Sequence, residues 1–249
     1  MLYASLTFWL LVIVLTAWGV HQLWTAMVKP KVLNTVLLPG TLAAQVGHVL
    51  GLLVTGATIS NTTLYGDGES GAPETTPDPR PKIPIVGPVI IGMLPLVACA
   101  TVIFFVARLL GAPVLGKIGA GTIGPTLPTT TAGVWQLLRD LITLMESIVS
   151  ASLAADFTSW KTWLFLYLLV CLAVRMAPFP GNLRGALGAI LILGIGAATL
   201  SSLLDVADPR VQNAWAVLNL TVATLLFLLL LSLLIRGGVG LVRLLGGQS

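Results

Sequence analysis

Apolar residues run through this chain in long unbroken stretches, separated by short clusters of charge, proline or glycine. A membrane-spanning helix needs about 20 predominantly apolar residues. Six stretches meet that length: residues 2–28, 32–57, 85–110, 160–177, 183–204 and 214–235. Residues 225–234 are almost all leucine. The first stretch stops at Lys29-Pro30-Lys31, with neither a basic start nor a small-residue cleavage site, so it reads as an uncleaved anchor rather than a signal peptide. Residues 133–156 are helical in pattern but carry Arg139, Asp140 and Glu146. Two readings are open there: an amphipathic helix on the membrane surface, or a further span with its charges facing neighbouring helices. The expectation is an all-α polytopic transmembrane helix bundle. It has about seven spans, or six if 133–156 lies on the surface.

Composition strengthens this reading. Of 249 residues, 56% are hydrophobic and 9% charged, against about 25% charged in soluble domains. So few charges cannot cover a soluble protein, which excludes a free cytoplasmic enzyme and a disordered chain. The 13 Lys and Arg give a net charge of +4 but stand scattered, so no nucleic-acid partner is expected. Cys99 and Cys171 lie inside apolar runs without a CxxC partner and read as small buried hydrophobes.

Charge also bears on topology. Seven spans with the N-terminus outside place Lys29, Lys31, Arg108, Lys117, Arg175, Arg184, Arg236 and Arg243 on the cytoplasmic side. Arg80, Lys82, Lys161 and Arg210 then lie outside. The positive-inside rule therefore favours seven, since six spans split the basic residues nearly evenly. The default compartment is a bacterial inner membrane, with the lipid bilayer as the first partner.

The chain reads as one membrane-embedded domain, 1–249, with two long connections. Residues 58–84 form a Pro-rich segment expected to be an irregular exposed loop, and they contain the formal glycosylation sequon Asn61-Thr62-Thr63. Residues 111–131 form a Gly/Pro/Thr-rich linker. Gly119 to Gly124 formally match GxGxxG there, but no βαβ context surrounds them, so a dinucleotide site is not expected. Gly47 and Gly51 form a GxxxG pair, as do Gly181 and Gly185, with Gly188 on the second face; both suit close helix packing inside a bundle. Trp9, Trp18, Trp24, Trp160, Trp163 and Trp215 lie toward span ends, as interface anchors would.

Polar residues inside spans are costly and usually functional. The second stretch opens with Pro39-Gly40 and continues Thr41-Leu42-Ala43-Ala44-Gln45-Val46-Gly47-His48. This segment resembles the zinc-binding helix of the site-2 protease family of intramembrane metalloproteases. A His-Glu-x-x-His helix there presents two zinc ligands on one face, with the Glu as general base. The resemblance puts Ala44 at the first ligand position, Gln45 at the general base and His48 at the second ligand. Ala44 cannot bind metal, and Gln45 keeps the shape of Glu without accepting a proton. Val86-Gly87-Pro88 resembles the Gly-Pro helix that packs beside the metal in that family, with Ile91 where an Asn often stands. Met176 to Ala186 resembles the later Pro-rich bend, with Asn182 in place of the third, aspartate ligand. The resemblance spans roughly residues 32–204. It implies a degenerate site at Ala44, Gln45, His48 and Asn182, of which His48 is the one surviving ligand-type residue.

Three functions follow as expectations. The first is a catalytically inactive, site-2-protease-like scaffold that binds another membrane protein or transmembrane segment, with no catalytic residue, metal or cofactor. The second is an active metalloprotease with altered zinc ligands, which would recruit His21, Cys99 or Cys171. The third is a structural subunit or small transporter unrelated to proteases.

Overall fold

Long apolar stretches cannot leave backbone N–H and C=O groups unpaired in lipid, so they close into helices. The computed structural model describes residues 2–56, 59–63, 74–77, 87–117, 127–176, 188, 190 and 209–245. Its helices are α1 (Leu2–Met27), α2 (Pro30–Val36), α3 (Leu38–Val54), α4 (Gly87–Leu110), α5 (Ala112–Leu115), α6 (Thr131–Leu153), α7 (Trp160–Val174) and α8 (Pro209–Leu245). Gly188 and Ile190 are also helical. Among the described residues, α1, α4 and α8 contain helices long and apolar enough to cross a membrane, and α2 with α3 makes a fourth if counted as one span. The protein is thus a helical bundle with several long apolar helices, as an integral membrane protein requires.

The second stretch is not one straight span. It breaks after Val36, and α2 and α3 meet at 83°. Pro30 opens α2 and Pro39 opens α3, each in the first helical turn where proline's missing N–H costs nothing. The stretch 160–177 gives a helix shorter than expected: α7 has 15 residues, about 22 Å, which falls short of a 30 Å hydrocarbon core. The last stretch lies within the 37 residues of α8. Within 58–84, the described residues are 59–63 and 74–77. Two strands, β1 (Ile59–Thr63) and β2 (Glu74–Pro77), pair antiparallel there, with Asn61 opposite Thr76. In the linker 111–131, residues 112–115 form α5, and the glycine motif at 119–124 lies outside the described residues.

Close packing centres on α3 and α4. A Cβ on Gly47 would lie 2.5 Å from the Leu94 carbonyl oxygen and 2.7 Å from Pro95 Cα; one on Gly51 would lie 2.9 Å from Ile91 Cα. The two helices therefore run antiparallel with backbones in contact, and the GxxxG pair packs inside the bundle. The contact falls at Pro95, which removes a helical donor from α4 without ending it. Gly188 approaches the same helix at Val89.

The start of α3 meets the end of α7, because Gly40 abuts the Cys171 carbonyl and the Arg175 side chain. Lys117 Nζ donates to the Ala154 carbonyl, which places the far end of α4 beside the start of α7. Hence α7 runs antiparallel to α4 and parallel to α3. Gly19 meets Leu229 and Trp24 meets Ser232, so α1 and α8 run parallel.

Residues 133–156 fall within α6 and its C-terminal turn. It is a helix, capped by the Thr130 hydroxyl, which accepts from the Gly133 N–H. Two of its three charged residues face outward, and Asp140 is half-buried. Arg139 and Glu146 are exposed, while Leu144, Ile148 and Ala151 are buried. Arg139 lies over the Trp135 ring, and Gln136 donates to Asp140. Trp9 also departs from expectation. It is buried in the core with Phe8 edge-on to it, rather than anchoring an interface.

Candidate functional site

Three residues of the degenerate motif, Ala44, Gln45 and His48, lie on α3. Gly40, Ala44, Gly47 and Gly51 recur at three- and four-residue steps and are all buried, whereas Leu42, Val46 and Leu50 point outward. Ala44 has no exposed surface, so the first-ligand position is filled by packing. Gln45 is also buried, and His48 is half-buried one turn on. Both take part in interactions within the fold. Asn182, the fourth position, lies outside the described residues.

Zinc needs about three protein ligands and an open position for catalysis. Among the described residues no group of three His, Cys, Asp or Glu side chains is placed to hold a metal ion. His48 with His21, Cys99 and Cys171 therefore makes no three-ligand group among the described residues. His21, Cys99 and Cys171 instead share another neighbour: each lies within electrostatic reach of Arg175.

No family model, curated protein or solved structure matches this chain.

The polar centre of the described structure is the junction of α2, α3 and α7. The last carbonyls of a helix lack intrahelical donors, and the break after Val36 exposes such a group. The Tyr167 hydroxyl donates to the Val36 carbonyl at 2.7 Å, and the Cys171 thiol donates to it at 3.5 Å. Arg175, which closes α7, donates from Nη2 to Asn34 Oδ1. Thus one face of α7 caps the end of α2 and holds the bend. Sequence reasoning used Arg175 only in counting charge. The available signal was its position as the charged residue that closes the apolar run 162–174, since such residues rarely lie there without a role.

Proposed function

We propose that this chain is a non-catalytic membrane-embedded binding protein. Its α3 keeps the outline of a site-2-protease-like metal helix, with His48 left but neither the first ligand nor the general base. The observation that carries this reading is the fully buried Ala44 beside buried Gln45 on the inner face of α3. Where such a helix would present a ligand and a base, this one presents a packed methyl group and a neutral amide. His48 and Gln45 remain as hydrogen-bonding groups on the same helix, suited to holding a guest backbone or helix rather than to cutting it.

For the membrane arrangement, we place 133–156 along the surface instead of across it. Opposite directions for α4 and α7 mean that the chain between them begins and ends at the same end of the bundle. An exposed charged stripe on α6 suits headgroups. The small soluble portions suit a bacterial inner membrane. One alternative draws on a specific feature: the 83° break between α2 and α3 is the kind of discontinuous helix that transporters use. A transporter of that type would need a second such break in the other half of the chain.

The test is elemental analysis of the purified, detergent-solubilised chain beside His48→Ala. The expected result is no stoichiometric zinc in either. Near-stoichiometric zinc in the wild type that disappears in His48→Ala would overturn the non-catalytic reading.

A further inference from the structure

Arg175 is 9% exposed, yet it lacks a counter-charge in the described structure. Its Nη2 reaches Asn34, and its Nε finds no acceptor among the described residues. The described carboxylates lie elsewhere. Asp156 precedes the opposite end of α7, about 22 Å away along the helix. Asp140 and Glu146 sit on α6, which packs against α5 and α8. Glu74 sits in β2, paired with the strand that follows the far end of α3. His21 lies within electrostatic reach of the guanidinium, and its buried Nδ1 also has no partner among the described residues. Lys29 and Lys31 stand exposed at the start of α2, on the same side chain-bearing segment as Asn34.

Burying an unpaired guanidinium costs several kcal/mol, so such a group is kept where an anion completes it. The guanidinium fork fits phosphate oxygens better than it fits a single carbonyl, and its Nε–H is free to donate. Exposed Lys29 and Lys31, at the start of the helix that carries Asn34, add positive charge to that helix.

We propose that Arg175, His21 and Asn34 form a binding site for a phosphate-class oxyanion at the junction of α1, α2 and α7. The oxyanion comes either from an acidic lipid headgroup or from free phosphate. This site is separate from the α3 motif and stands whether or not the proposed function holds.

The full chain is reconstituted in nanodiscs of phosphatidylcholine, alone or mixed with phosphatidylglycerol, and its Tm is followed by tryptophan fluorescence. Binding to the folded state alone raises Tm, and a rise of about 2 °C or more is expected from one occupied site. A rise with phosphatidylglycerol, together with lipid retained in native mass spectrometry, identifies a headgroup. A rise in phosphatidylcholine discs on adding inorganic phosphate, beyond that from chloride at equal ionic strength, identifies the free anion. Either response should vanish in Arg175→Met and weaken in Arg175→Lys, which keeps the charge without the fork. Wild-type protein that responds to neither anion overturns the proposal, whatever the fate of the variants. So does a response that survives in Arg175→Met but is lost in Lys29→Ala/Lys31→Ala, which would assign it to surface lysines.

Discussion

Gly47→Ala should loosen the α3–α4 contact. The added Cβ would lie 2.5 Å from the Leu94 oxygen, 2.7 Å from Pro95 Cα and 2.8 Å from Ala98 Cβ. Comfortable carbon contacts lie at about 3.5–4.0 Å, so α3 and α4 must separate by about 1 Å. Two of the three atoms are backbone and cannot rotate away. Overpacking of this kind costs about 1–3 kcal/mol, and fixed backbone puts the value near 2 kcal/mol or above. For a chain of this size that is a fall in Tm of about 4–8 °C. Gly237→Ala is the internal control, since nothing lies within 4 Å of a Cβ there. Alanine's better helix propensity, about 1 kcal/mol over glycine, should leave Tm unchanged or raise it. Thermal unfolding in detergent, followed by far-ultraviolet circular dichroism, reads both. A Gly47→Ala protein within 1 °C of wild type, or a Gly237→Ala protein that loses as much, would refute the close-packed α3–α4 interface.

Other outcomes follow from single contacts. Ser232→Ala removes the acceptor for Trp24 Nε1, 2.8 Å away between α1 and α8; such interhelical bonds contribute about 0.6 kcal/mol, so Tm should fall slightly and Trp24 emission should shift. Asp156 is held below the ordinary carboxyl range, first by the Thr158 hydroxyl and then by the Thr158 N–H. Because its folded value is depressed, the turn it stabilises should hold at neutral pH and loosen as pH falls through that value. Thr158→Ala should move the Asp156 carbon-13 titration upward, and an unmoved titration would contradict the hydrogen bonds. Cysteine introduced at Arg139 or Glu146 should react with a membrane-impermeant thiol reagent, against the low background of buried Cys99 and Cys171. Protection of both introduced thiols would instead support 133–156 as a crossing helix.

Much of the helical content could be read from hydrophobic run length alone. The core of α1, α4 and α8 needed no partner information, because a stretch of apolar residues in lipid has no other way to pair its backbone. The Gly47–Gly51 face was likewise readable, since two glycines one turn apart leave a flat strip that invites another helix.

Three features depended on contacts distant in the chain. The break after Val36 is stabilised by Tyr167, Cys171 and Arg175, more than 130 residues away, so local propensity could not place it. The orientation of 133–156 depended on which face its neighbours covered. Which side of this 23-residue amphipathic helix is covered, the one carrying Leu144, Ile148 and Ala151, is set by the helices it meets. The role of Arg175 was hidden for the same reason. One charge at the end of an apolar run reads as a topology marker, and becomes a buried, incompletely paired cation only when α1, α2 and α7 converge on it. Run length and periodicity act within one helix, whereas burial of a polar group is decided by what the other helices bring to it.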